Sequence, residues 1–268
     1  MRTGPILLPI LALLAAPAAA QQPVVATYEV YAAGMTVLQL EARFDVSEAG
    51  YRIRTQLRTR GIAAVFAPGE QATQVEGGWA GAAAAPRSYL TEGTFRGRYR
   101  RIALAWQGGA PQVLELTPPE TDEREPVPAA LQRNTMDALS AMAQLARLVD
   151  RSGGCDGAVP VFDGRRRSDY ASRTERRELI RPWRGAWSGE ALRCAFEGRL
   201  VAGFRHDQDR AASAAPQTGT AWIAAPFPGA PPIPVRLEIP NRWVGHATAV
   251  LLRAEPSAAL AQPVQQRR

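Results

Sequence analysis

Residues 134–170 read NTMDALSAMAQLARLVDRSGGCDGAVPVFDGRRRSDY, and the fold class turns on how they are read. Asn134 suits an N-cap, since its side-chain oxygen can accept from an orphan amide one turn in. Asp137 then falls at N3, where a carboxylate sits well against the helix dipole. Asp137, Ser140, Gln144, Arg147 and Arg151 recur at three or four residues as one narrow polar stripe, and every other position from Met136 to Val149 is apolar. A stripe that thin predicts a helix covered over most of its circumference, either in the concave face of a curved sheet or across a flatter one. Arg147 and Arg151 complement the C-terminal dipole, and Gly153-Gly154 end the helix.

A hairpin follows. Val159–Phe162 and Arg165–Tyr170 flank Asp163-Gly164, the two-residue signal for a type I′ turn. Pro160 cannot donate to a ladder, so that position faces an edge or a bulge.

On either side of this stretch the chain reads as β-strand. Val24–Ala32 and Thr36–Val46 flank Ala33-Gly34. In Tyr51–Arg60, Tyr51, Ile53, Thr55, Leu57 and Thr59 alternate with Arg52, Arg54, Gln56, Arg58 and Arg60, the pattern of an antiparallel sheet wet on one side. Further strands are predicted at 71–79, 86–95, 99–106, 112–116, 171–177, 192–204, 222–225, 235–239 and 243–253, with loops at 118–128 and 207–220. The fold class is therefore mainly β: a curved antiparallel sheet, or a partly open barrel-like one, packed around one principal helix. Residues 21–254 read as one domain, and 255–268 as a tail without periodic pattern.

Residues 1–20 read as a signal peptide: Arg2, an apolar run from Ile6 to Leu14, then Ala18-Ala19-Ala20 before the cleavage point. No later stretch is apolar enough to anchor the processed chain in a bilayer as a helix. Export to the periplasm is the expectation. In that oxidising space Cys155 and Cys194, the chain's two cysteines, read as one disulfide.

All 32 basic residues are arginine, against 25 acids; losing Arg2 with the leader leaves a net charge of +6 rather than +7. Basic charge suits an anionic partner, yet total absence of lysine points to compositional bias, so no nucleic acid is expected. No nucleophile elbow, zinc-protease motif or phosphate loop occurs. His206-Asp207-Gln208-Asp209 opens a polar loop, and His246 lies in a predicted strand. Glu41, Glu70, Glu92 and Glu115 could pair as a glycosidase acid and base, but no spacing singles out two of them. The Arg96–Arg101 and Arg165–Arg167 runs, with Arg173, Arg176 and Arg177, could grip phosphates, or form a solvated face. No catalytic, metal or cofactor site is expected.

The order of features resembles a bacterial exported family, domain of unknown function 3108. The matching pieces are Tyr28–Gly34 (YEVYAAG), Gly61–Val65 (GIAAV), Arg124–Pro128 (REPVP), Asp137–Ala141 (DALSA), Cys155 with Cys194, Phe162–Arg166 (FDGRR) and Val201–Phe204 (VAGF). They cover most of the processed chain. The resemblance implies an envelope protein of antiparallel β-structure with no established activity, so no catalytic residue carries over.

The leading expectation is a non-catalytic binding or carrier protein for a lipid or other amphipathic ligand, with Met136, Leu139, Met142 and Leu145 lining its groove. An envelope scaffold docking another protein is the alternative, and a carboxylate-dependent hydrolase the third.

Overall fold

A computed structural model of the chain describes residues 21–119, 123–241 and 245–257. The predicted leader, part of the 118–128 loop, the start of the 243–253 strand and residues 258–268 of the tail lie outside the described residues. Thirteen strands form one sheet: β1 (Val24–Ala32), β2 (Met35–Ser47), β3 (Gly50–Thr59), β4 (Gly69–Ala80), β5 (Ala83–Phe95), β6 (Arg98–Gln107), β7 (Ala110–Thr117), β8 (Gly157–Phe162), β9 (Arg167–Ile180), β10 (Gly189–Ala202), β11 (Gln217–Ala224), β12 (Ile233–Asn241) and β13 (Gly245–Pro256). Among the described residues four helices accompany them: α1 (Gly61–Phe66), α2 (Ala129–Gln132), α3 (Ala138–Ser152) and α4 (Arg210–Ala214).

The strand order is β7-β6-β5-β4-β3-β2-β1-β13-β12-β11-β10-β9-β8, antiparallel throughout. Two meanders, β1–β7 and β8–β13, are thus fused where the first strand pairs the last, from Val24↔Pro256 to Ala32↔Ala247. Alternation puts one face inside: Tyr51 and Ile53 are buried, while Arg54, Gln56 and Arg58 are exposed. Both meanders feed one core, with Val24, Ile53, Val75 and Leu104 from the first and Phe162, Ile233, Val235 and Leu251 from the second. Each such side chain contributes about 1.5–3 kcal/mol by leaving water.

The sheet does not close through a β7–β8 pair; residues 123–136 span the seam instead. Glu125 N donates to Phe204 O (2.9 Å), and Arg124 forms an antiparallel bridge with Arg205. Lower down, Asn134 N donates to Gly109 O, and Trp106 Nε1 to Thr135 O, both at 2.9 Å. Met136 N donates to Pro160 O and Phe162 N to Met136 O, a parallel bridge on the free edge of β8. The connector thus pairs backbone groups on the edge of β8 and beyond the end of β10, while β7 keeps an edge without a strand partner among the described residues.

That bridging corrects the predicted helix start. Met136 is held in that bridge, so α3 begins at Ala138 with Asp137, not Asn134, as N-cap, accepting from Leu139 N and Ser140 N at 2.9 Å. Asn134 has φ +56°. Gly153, at φ 70°, ends the helix as its left-handed cap.

The expectation of one principal helix with the sheet wrapped about it is also corrected. Four helices form among the described residues, and the longest, α3, is buried along one line only: Ser140, Ala143, Ala146 and Val149. It lies across one end of the sheet, where Ala84 N donates to Gln144 Oε1 and Arg147 Nη1 to Gly81 O. The rest of its apolar surface, Leu139, Met142 and Leu145 included, is half-buried. Asp163-Gly164 sits within a four-residue connection, 163–166. Only Gly164 takes a positive φ (90°), and Asp163 Oδ1 accepts from the amides of Arg165 and Arg166, so the geometry is not type I′.

Candidate functional site: the apolar end of the sheet

Opposite α3, three turns converge. Arg60 N makes the last bond of β3, to Val37 O. Gly61 then turns at φ +55°, where a Cβ would stand 2.7 Å from Thr36 O, so only glycine fits before α1. Pro68 follows closely after the helix, and its carbonyl accepts from Arg96 N in the β5–β6 turn. Phe95 lies beside Gly69, and Arg184 Nη1 donates to Gly34 O in the β1–β2 turn.

Ile62, Val65 and Phe66 share one face of α1 by their i, i+3, i+4 spacing. That face points to solvent: Ile62 is 51 % exposed, Val65 76 % and Phe66 75 %. The half-buried Ala63 and Ala64 lie on the other side of the helix. An amphipathic surface helix normally turns the larger apolar residues inward; α1 does the reverse. Met35 (49 %) and Phe95 (48 %) extend the patch, and Trp183 borders it, edge-on to Tyr31 at 5.0 Å.

Three arginines at this end, Arg60, Arg96 and Arg184, contact neutral groups. Arg60 Nε donates to Gln39 Oε1 at 2.8 Å, Arg96 stands over the Phe95 ring at 5.4 Å, and Arg184 stacks on Tyr31 and Trp183 at 5.1 and 5.0 Å. At the α3 end arginines meet a carboxylate instead. Arg147 and Arg151 both reach Glu48, whose carboxyl their hydrogen bonds, Arg151 first, hold below the usual carboxylate range.

The four residues predicted to line a groove lie elsewhere. Met136 is buried in the main core and tied into the seam. Leu139 and Met142 pack half-buried against that core, and Leu145 against a second cluster of Val149, Leu192, Ile223 and the cysteines. Neither of two surface recesses touches them: one of about 10 Å³ lies beneath Trp183 and Trp187, the other, of about 400 Å³, beside Val159, Arg167, Tyr170 and Arg199.

The remaining candidates separate. Cys155 and Cys194 are bonded, with Cα atoms 6.4 Å apart. Glu92 and Glu115 meet, but only through Arg101, which bridges them on an exposed face; Glu41 pairs with Arg43 and Glu70 with Arg58. Asp207 pairs with Arg205 and Asp209 caps α4, and among the described residues no group of His, Cys, Asp or Glu is arranged to hold a metal. Arg100 pairs with Glu123, and Arg165 is buried. No described helix is long and apolar enough to cross a membrane. The α1 patch was not predicted: Ile62, Val65 and Phe66 carry helical spacing, but the spacing does not say which side of the helix faces solvent.

No curated protein matches the chain. The crystal structure of a beta-barrel-like protein of domain of unknown function DUF1849 from Brucella abortus is similar, with a TM-score of 0.57 over 89 % of this chain and 99 % of that one, at 11 % identity. That likeness concerns the fold alone. A family model matches residues 27–251, and the chain belongs to that family, described as protein of unknown function DUF3108.

Proposed function

We propose that the chain is an exported, periplasmic binding protein of the cell envelope, without catalysis of its own, that takes an apolar or amphipathic ligand at the α1 end. The observation that supports this is the inverted helix: Ile62, Val65 and Phe66 are turned to solvent while the smaller Ala63 and Ala64 are the half-buried ones. Exposed apolar residues scattered singly need no explanation, but a contiguous group of five around one tip does. The leader-like segment and the Cys155–Cys194 disulfide support export. Intact mass of protein recovered from the periplasm of a bacterial host should begin at Gln21. Titration with a fluorescent fatty acid should saturate on the order of tens of micromolar and weaken in Phe66→Ser. Absence of saturable binding retires the reading.

A second reading, a scaffold for another envelope protein, draws on β7. Among the described residues this edge strand has no strand beyond it, and it exposes Val113 (42 %) and Leu114 (65 %). A photo-crosslinker at Leu114 that captured one discrete partner in cells would favour it.

A further inference from the structure

We propose that the α1 end docks on the surface of an anionic lipid bilayer, with Val65 and Phe66 entering the acyl boundary and Arg60, Arg96 and Arg184 meeting headgroup phosphates. The inference rests on the amphiphile-binding reading above and names the physical state of the ligand.

Shape argues first. The apolar residues come from three separate turns and α1: Met35 from β1–β2, Ile62, Val65 and Phe66 from α1, Phe95 from β5–β6. Neither recess reaches them, and Val65 and Phe66 are three-quarters exposed. A single solute molecule would cover one side of such a tip, whereas a bilayer covers all of it.

Charge argues second. A side chain that is apolar at its tip and ringed by cations matches an interface whose headgroups are anionic and whose interior is hydrocarbon. Arg60, Arg96 and Arg184 are held in place by an amide, by rings and by a backbone carbonyl, and none of these contacts is an ion pair. Arginine forks suit phosphate oxygens in pairs. At the opposite end Arg147 and Arg151 meet a carboxylate, Glu48.

Aromatic placement argues third. Trp183, 39 % exposed at the margin of the patch, has the amphipathic ring that settles at headgroup level.

The test is flotation of the processed chain, disulfide intact, with vesicles of phosphatidylcholine alone or mixed with phosphatidylglycerol. Wild type should float with the mixed vesicles, less with phosphatidylcholine, and less again as salt rises. The Val65→Ser/Phe66→Ser variant should lose about tenfold or more in partitioning. Arg60→Gln/Arg96→Gln/Arg184→Gln should erase the preference for phosphatidylglycerol, while Leu114→Ser, exposed but remote, should float as wild type does. Phe66→Trp should shift its emission to the blue on adding mixed vesicles. All these side chains are exposed or half-exposed, and an unchanged urea midpoint confirms that the variants fold. No flotation with mixed vesicles overturns the proposal, as does an equal loss in Leu114→Ser. So does a wild-type dimer that Val65→Ser/Phe66→Ser converts to monomer, which would assign the patch to a second copy. If vesicles fail but the fatty acid titration still saturates, docking falls and the amphiphile reading stands; if both fail, both fall.

Discussion

Ile102 on β6 and Gly164 in the β8–β9 connection press together so closely that a Cβ on Gly164 would stand 2.6 Å from Ile102 Cγ2. The two belong to opposite ends of the strand order, so their approach measures how far the sheet has curled. Leu104 and Leu116 line the same contact, and Arg165 Nη2 donates to Pro118 O at 2.5 Å beside it. Curling to this point lets a single connector fill the seam.

Gly164 is therefore constrained twice, by φ 90° and by Ile102, whereas Gly108, at φ +57°, has nothing within 4 Å of its Cβ position. Gly108→Ala should cost about 1–2 kcal/mol, the left-handed penalty alone. Gly164→Ala should add overpacking of about 1–3 kcal/mol. Equal shifts in urea midpoint for the two variants would mean that the seam contact is slack.

Asp137 is fully buried, and its carboxylate accepts from two helix amides and from Ser140 Oγ, which in turn accepts from Tyr51 Oη at 2.8 Å. Burial pushes this carboxyl up while the cap bonds oppose the rise. A raised acid favours its protonated form in the folded state, so ionisation lowers stability as pH rises. Asparagine keeps one oxygen to accept from both amides without the charge, and its NH2 group meets Ser140 Oγ, which can turn to accept. Asp137→Asn should thus be close to neutral at pH 7, and Asp137→Ala should cost about 2–4 kcal/mol by removing the cap and orphaning its donors. Equal losses for the two would show that the charge, not the acceptor, is what the cap requires.

Most strands were legible because alternation at period two survives wherever one face is wet, as in Tyr51–Arg60, and β1 falls where its pattern places it. What sequence could not give was any event decided by distant contact. Asn134 has the better local credentials as a cap, yet Met136 is drawn into β8, twenty-five residues on, and moves the start of α3 to Ala138. The Asp163-Gly164 dipeptide matches a tight hairpin, but the seam buries Arg165 and opens the connection to four residues. At the apolar end the spacing was present in the sequence; the direction in which α1 faces was not. Six residues are too few for a period to reveal which side packs.

Cys155 follows α3 directly, and Cys194 sits mid-way along β10, so the disulfide ties the end-capping helix to the second meander. Closing a loop of this length contributes on the order of 3–4 kcal/mol through the unfolded chain. Cys155→Ala/Cys194→Ala should lower stability by about that amount. Peptide mapping without reductant should recover the linked pair from exported protein. Two free thiols there would remove the disulfide from the native state.

Glu123 holds the upper seam. Its carboxylate accepts from Arg100 Nη1 at 3.0 Å and Nη2 at 2.6 Å, with Arg98 and Arg205 at 3.8 and 3.9 Å, so it joins β6 to the segment after β10. The Arg100 hydrogen bonds hold it below the usual carboxylate range, against burial, which pushes the other way. An acid whose folded pKa is depressed contributes stability that is present above its ordinary value, about 4.3, and lost as pH falls through the folded value. Glu123→Gln keeps the shape and drops the charge. It should cost roughly 1–3 kcal/mol at pH 7, and the gap to wild type should close as acid protonates Glu123. Urea midpoints of both proteins, compared at neutral pH and well below the ordinary carboxylate value, decide the point. A gap that stays constant across that window would place the seam's strength in its backbone bridges, with the Arg100–Glu123 pair contributing nothing measurable.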